Sequence, residues 1–366
     1  MNANVVQLTR WQDYPAAPLA DVVGPGISLI AGPCSAESEE QLLETAQGLA
    51  ALGIRTLRVG IWKPRTRPGS FEGMGASGLG WLQAVRNATG MQVCTEVANA
   101  QHVEAALAAG VDRLWIGART TVSPFAVQEI AEALRGTSIP VLVKNPINPE
   151  LSLWIGALER LERLGLTDLA ACHRGFSYYG SGTYRNAPQW DLPLELRRRL
   201  PQMPLFCDPS HIAGVREKVA EVAQTALDLG FSGLLIESHR NPQEAQSDAA
   251  QQLTPAQLLQ MLRGLSYRQA SSTSTDYQQQ LEALRVALDE TDAALLEALG
   301  RRMQLVKQVM GLKEQFGVQP LRNTREAESL QARLARAEAL GLRPDFVKEC
   351  LRLLYLEAVE ASHPTA

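Results

Sequence analysis

Cys34, His211, Glu237 and Asp248 are the residues of this 366-residue chain whose types together could hold a divalent cation. A thiolate, an imidazole and two carboxylates make a mixed donor set that suits Mn, Fe, Co or Zn and argues against Mg or Ca. Singly, each has an ordinary reading: Cys34 as a small buried hydrophobe, His211 as a turn histidine, Glu237 and Asp248 as solvated loop acids. Position changes that. Three of the four follow directly on apolar runs, in SLIAGPC, LFCDPSH and GLLIE. If those runs are strands of one barrel, their ends converge on one mouth. Four protein ligands still leave room for substrate on a five-coordinate metal.

Cations accompany these ligands. Lys63-Pro64-Arg65-Thr66 follows the apolar run Thr56 to Trp62, which reads as a strand. Positive charge fixed at a strand end is a place to hold phosphate or carboxylate, whereas an isolated KPRT could equally be a solvated basic turn. The context favours the first reading: other strand-like runs end at Cys34, Arg58 to Lys63, Glu96, Arg119, Lys144, Arg174, Asp208 to His211 and Glu237. A ring of functional groups is implied.

The elements that must position this ring alternate. Strand-like runs at Ile27 to Ala31, Thr56 to Trp62, Met91 to Val97, Arg113 to Ile116, Pro140 to Lys144, Asp168 to Cys172, Leu205 to Cys207 and Gly233 to Ile236 are separated by helical patterns or long loops. Eight such repeats over about 240 residues predict an α/β fold, a (β/α)8 TIM barrel, over 25–265 after an N-terminal arm, 1–24. A doubly wound sheet is the alternative, but it would concentrate polar residues at one switch point rather than at every strand end. Gly73-Met-Gly75-Ala-Ser-Gly78 satisfies GxGxxG; no strand precedes it, so it reads as a mobile loop beside the site rather than a dinucleotide turn. Residues 266–277, SYRQASSTSTDY, read as a linker. Beyond it, 278–366 form a small all-α domain with one long helix, in which Leu281, Leu284, Leu288, Leu295, Leu299, Leu305 and Val309 recur at helical spacing. Such a helix is hard to close on itself, which predicts an intertwined homodimer.

A formal net charge of −4 without long single-sign blocks gives no footprint for nucleic acid or an anionic membrane. Five scattered cysteines form neither a disulfide framework nor a zinc ribbon, and neither a leader nor a spanning segment is evident. A cytoplasmic protein acting on small molecules is expected.

The strings AGPCSAES, RVGIWKPRTRPGSFEG, IGARTT, LVKNP, HRGF, DPSH and IESH resemble 3-deoxy-D-arabino-heptulosonate 7-phosphate (DAHP) synthase of the type I beta group nearly throughout 27–265. The resemblance implies metal-dependent condensation of phosphoenolpyruvate with erythrose 4-phosphate. A sister enzyme using arabinose 5-phosphate has Ala-Asn where this chain has Pro64-Arg65-Thr66, which selects the four-carbon aldose. By the same resemblance Arg119 and Arg174 clamp the phosphoenolpyruvate phosphate, and Arg58, Lys63 and Lys144 surround its carboxylate, with Lys63 also handling protons. Arg65 and Thr66 meet the aldose phosphate, Asp208 the sugar end, and Glu96 is a candidate for orienting water or a phosphate oxygen.

The stretch LRVALDETDAALLEALGRRMQLVKQVMGLK, within about 278–361, resembles the all-helical chorismate mutases. That implies rearrangement of chorismate to prephenate, with Arg285, Arg302 and Lys313 binding its carboxylates and ether oxygen, Arg285 reaching into the partner's site, and Arg325 and Glu326 opening the second helix. Asn323 and Ser362 depart from the family's usual Asp and Gln or Glu, which points to weak turnover. The alternative is a module that senses chorismate or prephenate, dimerises and restrains the barrel.

Overall fold

The computed structural model describes residues 11–63, 69–180, 182–268, 271–318 and 324–361, with no side chains described at 324–329, 359 and 361. The chain divides into two compact units, Met1–Ala270 and Ser271–Ala366. In the first, eight parallel strands close into a barrel in sequence order: β1 (Ser28–Gly32), β2 (Thr56–Val59), β3 (Gln92–Val97), β4 (Arg113–Ile116), β5 (Val141–Lys144), β6 (Leu169–His173), β7 (Leu205–Cys207) and β8 (Gly233–Glu237). β8 pairs with β1 over Ser28↔Gly233 to Gly32↔Glu237, which excludes the doubly wound alternative.

Alternation along the strands explains both the core and the site. Outward residues such as Leu57, Val93, Leu114, Val143, Leu234 and Ile236 pack under the helices. Inward residues Ile30, Cys94, Trp115, Leu142, Ala170, Cys172, Phe206 and Leu235 fill the barrel. Two residues further on, the same inward face delivers Glu96 after Cys94, Lys144 after Leu142, Arg174 after Cys172, Asp208 after Phe206 and Glu237 after Leu235. Each functional side chain therefore stands on an apolar plug one step below it.

The N-terminal arm seals the opposite end. Trp11 joins the inner cluster, donates Nε1–H to Asp168 O at 3.2 Å and meets Phe206 edge-on at 5.8 Å. Ser28 Oγ donates to Trp11 O at 2.7 Å and accepts from Asp13 N at 3.0 Å, tying the arm to the start of β1.

Two boundaries differ from the sequence reading by more than one residue. β2 stops at Val59 rather than Trp62, and the loop that follows opens on Gly60, where a Cβ would run into Cys34 O and the Lys63 side chain. Lys63 accordingly reaches the mouth from a loop. The 266–277 linker ends early: Ser274 caps a helix beginning at Thr275, its Oγ accepting from Tyr277 N. The GxGxxG loop is no dinucleotide turn; its backbone is tied to the Lys63 segment through Lys63 N→Glu72 O (2.8 Å) and Gly75 N→Ile61 O (3.1 Å).

The second unit is three helices, Thr275–Gln315, Thr324–Ala339 and Pro344–Ala361, the last packing against both others. The 41-residue first helix is about 60 Å long. None of its residues is buried, and among the described residues of this unit only Ala337 and Ala358 are. No helix among the described residues is long and apolar enough to cross a membrane.

Candidate active site

At the C-terminal mouth of the barrel, Cys34, Glu237 and Asp248 bring ligand atoms within 4.8 Å of one another. Cys34 follows β1 in a loop, and its N–H donates to Gln252 Oε1 at 3.0 Å. Glu237 ends β8, while Asp248 sits further along in the left-handed backbone region, φ 50°. His211 is delivered by a short helix, Pro209–Ala213, whose start the DPSH string encodes: Asp208 caps by accepting from His211 N at 3.0 Å, and Pro209 supplies the first-turn geometry.

Cys34, Glu237 and Asp248 stand close enough to share one ion, and His211 lies beside the latter two without joining that group. Cys34 Sγ lies 3.4 Å from Asp248 Oδ2, and His211 Nε2 lies 3.7 Å from Glu237 Oε1 and 3.9 Å from Asp248 Oδ2. Donors around a shared tetrahedral cation stand about 3.3–3.8 Å apart. His211 Nδ1 is 2.8 Å from Asp208 Oδ2, the arrangement that orients a ligating imidazole. Burial pushes the His211 imidazole down, toward the neutral form a metal requires, although Asp208 and Glu237 oppose it. Burial also works against ionised Asp208, Glu237 and Asp248. His211 and then Lys144 for Asp208, His211 and Arg58 for Glu237, and His211 and Arg185 for Asp248 nonetheless hold all three carboxyls below their ordinary values. Burial, followed by the Glu237 charge, pushes the Cys34 thiol up to about 12, so a cation must displace its proton on binding.

Fixed positive charge lines the same mouth. Arg58 is buried and bonds Glu237 Oε1 at 3.1 Å and Cys34 O at 3.3 Å. Lys63 Nζ donates to Cys34 O and lies against Cys34 Sγ, both at 3.1 Å. Lys144 Nζ bonds Asp208 Oδ2 at 2.6 Å. Arg174 is buried, and burial together with Arg185 and Arg119 draws it down to about 10, leaving it charged at neutral pH. Arg119 is exposed, on the short helix after β4. Glu96 is buried, and a Cβ at Gly117 would displace its carboxylate. Both oxygens of Asp208 are engaged within the protein, by His211 N and by Lys144.

Sequence reasoning missed several members. Trp115 forms the floor, its ring centroid 5.1 Å from Arg58 Cζ and 5.6 Å from Lys144 Nζ. Gln251 donates Nε2–H to Glu237 Oε2 at 2.7 Å, and Asn145 Oδ1 accepts from Arg174 N at 2.7 Å. Asn145 was findable, since it follows Lys144 directly; Gln251 and Trp115 carried no local signal. Arg65 and Thr66 lie outside the described residues.

In the helical unit the named cations are not brought together. Arg302 Nη1 donates to Leu354 O at 3.4 Å, while Arg285 is exposed beside Glu282 at 3.8 Å. Lys313 lies in the last turn of the long helix. Arg325 and Glu326 fall in the first turn of the second helix, but their side chains, like Asn323 and Ser362, lie outside the described residues.

Comparison with known proteins agrees with this geometry. The sequence model of the DAHP synthetase I family matches residues 22–271, and that of chorismate mutase type II matches 284–362. The phospho-2-dehydro-3-deoxyheptonate aldolase of Thermotoga maritima is 34% identical over 237 residues, 64% of this chain and 68% of its own. A crystal structure of the Thermotoga maritima enzyme of that name, titled DAHP synthase, superposes with TM-score 0.59 at 29% identity, covering 73% of this chain and 72% of that one. The T-protein of Enterobacter agglomerans is 39% identical over 79 residues, 22% of this chain but only 21% of the T-protein. With a family match over most of its length and a barrel of the same architecture, the chain is an enzyme that belongs to the DAHP synthetase I family and carries a chorismate mutase type II domain at its C-terminal side.

Proposed function

We propose that the barrel condenses phosphoenolpyruvate with erythrose 4-phosphate and water to give DAHP and inorganic phosphate. The observation that carries this reading is the convergence, at one barrel mouth, of a thiol–dicarboxylate group flanked by His211 with the buried cations Arg58, Lys63, Lys144 and Arg174. Phosphoenolpyruvate is a polyanion, and Arg119 and Arg174 would take its phosphate while Arg58, Lys63 and Lys144 face its carboxylate. A divalent cation on Cys34, His211, Glu237 and Asp248 would supply Lewis acidity at the aldehyde oxygen.

The remaining work falls to the chain. The C2=C3 π pair of phosphoenolpyruvate would form the new carbon–carbon bond to the aldehyde carbon, and Lys63 would protonate the resulting alkoxide. Water would add at C2 and the C2–O bond to phosphate break, leaving a C2 ketone; of the water's two protons one restores Lys63 and the other leaves on the departing phosphate. Glu96 would orient that water. Asp208 acts through His211 and Lys144, whose positions its two oxygens set. Arg65 and Thr66 would meet the aldose phosphate.

The helical unit would rearrange chorismate to prephenate in a dimer, with Arg302 and Lys313 from one copy and Arg285 from the other. The exposed apolar residues of the long helix, Leu284, Leu288, Leu295 and Leu305 among them, support pairing. Because no single copy gathers the three cations, a sensing and dimerisation role for this unit stands as the second reading. The test is one preparation of the full chain. With Mn2+, phosphoenolpyruvate and erythrose 4-phosphate it is expected to release phosphate, and no release overturns the synthase reading. Equal use of arabinose 5-phosphate overturns the four-carbon choice. Chorismate consumption supports the mutase; prephenate binding that slows phosphate release without chorismate turnover supports the sensor.

A further inference from the structure

We infer that the dipeptide Arg185-Asn186 couples the phosphate clamp to the metal ligands, so that anion and cation bind each other's half of the site interdependently. This rests on the proposed metal-dependent use of phosphoenolpyruvate at the barrel mouth. After Arg174 the chain leaves β6 and returns along itself: Phe176 and Ala187 exchange both backbone hydrogen bonds at 2.8 Å. The return brings Asn186 against Arg174. It also lies along the helix Pro209–Ala213, where Asn186 N donates to Ile212 O at 3.2 Å and Arg185 N to Ala213 O at 3.4 Å.

The Asn186 amide is used at both ends. Its Oδ1 accepts from Arg174 Nη1 at 2.8 Å and its Nδ2 donates to His211 O at 2.6 Å. Arginine can only donate and a carbonyl can only accept, so the amide has one workable orientation and no other side chain of its size satisfies both. One buried residue thus fixes the guanidinium proposed to hold phosphate and the backbone of a proposed metal ligand. Its neighbour completes the link. Arg185 Nη1 donates to Asp248 Oδ1 at 3.0 Å and to Gln251 Oε1 at 2.8 Å, and Gln251 in turn donates to Glu237 Oε2 at 2.7 Å. Asp248 Oδ2 faces Cys34 and His211, so Arg185 occupies the oxygen turned away from the ion's place. Of the four proposed ligands, His211, Asp248 and, through Gln251, Glu237 are tied to this dipeptide.

Movement of Arg174 toward an incoming phosphate therefore acts on His211 through Asn186, and metal-driven ordering of His211 and Asp248 presets Arg174. Linkage makes the effect reciprocal: the factor by which phosphoenolpyruvate tightens Mn2+ equals the factor by which Mn2+ tightens phosphoenolpyruvate. Arg185 and Asn186 are positioning residues, and a merely structural contribution would weaken both ligands equally without changing that factor.

The experiment titrates the metal-free full chain with Mn2+, with and without phosphoenolpyruvate, by calorimetry and in the absence of aldose so that no turnover occurs. The wild type is expected to show a coupling factor of about 5 to 150. Asn186→Asp keeps an acceptor for Arg174 but opposes a carboxylate oxygen to His211 O, and is expected to bring the factor to about 2 or less. Arg185→Gln, at a side chain 44% exposed and so tolerant of replacement, is expected to lower the factor too and serves if Asn186→Asp does not fold. A coupled wild type whose variants keep the same factor overturns the inference, as does a wild type that binds both ligands without coupling. A wild type that binds neither ligand instead overturns the metal and phosphoenolpyruvate reading beneath it.

Discussion

The barrel and the helical unit handle charge in opposite ways. In the barrel, Arg58, Lys63, Lys144, Arg174, Asp208 and Glu237 are all buried, and two pairs of them meet, Arg58–Glu237 at 3.1 Å and Lys144–Asp208 at 2.6 Å. In the helical unit Arg285 is exposed, Arg302 is half-buried, and large apolar residues such as Leu288 and Leu295 lie open, at 62% and 56% exposure. Buried charges persist only where partners and a closed scaffold hold them, and eight strand ends provide that within one chain. A three-helix unit has too little interior to do the same. The barrel's site is assembled by intramolecular folding, whereas the proposed helical site would need a second copy.

Four tests break or sharpen that contrast, beginning with the largest effect. Replacing Glu237 with Ala, or stripping the metal with a chelator, is expected to lower phosphate release by at least about three orders of magnitude, since Lewis-acid stabilisation supplies several kcal/mol. Chorismate turnover measured on the same sample is expected to hold; parallel loss would mean that the two units are not independent. Arg302→Ala should reduce chorismate consumption by about 10²–10³ in kcat, the scale of a lost donor to a developing oxyanion. An unchanged rate would move the mutase chemistry away from Arg302.

The dimer is tested next. Leu288→Asp with Leu295→Asp removes two apolar side chains from the proposed seam, about 3 kcal/mol or more, and is expected to raise the dimer dissociation constant at least about 100-fold. Sedimentation equilibrium reads this directly, and an unaltered dimer would place the interface elsewhere. The smallest effect concerns pH. His173 is fully buried among Trp154, Phe176, Trp190 and Phe231, and burial holds its imidazole down to about 3. The unfolded chain takes up this proton near pH 6.5 while the folded barrel does not, so stability is fully present above that pH. It falls by about 1.4 kcal/mol per pH unit on acidification toward 3. His173→Phe is expected to flatten the barrel's pH slope by that amount in chemical denaturation at pH 4 to 7, and an identical slope would show that His173 is protonated when folded.

Much of the barrel was legible because parallel strands buried on both faces read as continuous apolar runs. Arg113–Ile116 and Leu205–Cys207 have the expected bounds, and most others agree within one residue. The cap that starts the His211 helix was not read from DPSH, although Asp208 and Pro209 are a local signal for it. Illegible were the residues whose role depends on contacts far along the chain or on an irregular loop: Trp11 closing the bottom, Trp115 under two cations, and Arg185-Asn186 between two halves of the site. Nothing in the spacing around Asn186 distinguishes it from a solvated loop amide; its value comes from meeting Arg174 and His211 together.

The sequence alone determined which residue types stand at each strand end, since inward alternation is a property of consecutive residues. It also determined that a long amphipathic helix would follow the barrel. Only the tertiary structure decided which of those ends touch. Arg58 and Glu237 are 179 positions apart and Lys144 and Asp208 are 64 apart, and closure of the sheet brings each pair into contact. The physical reason is that a strand sets the direction of its own side chains, while the register between strands, and the loops that fold back between them, set their distances.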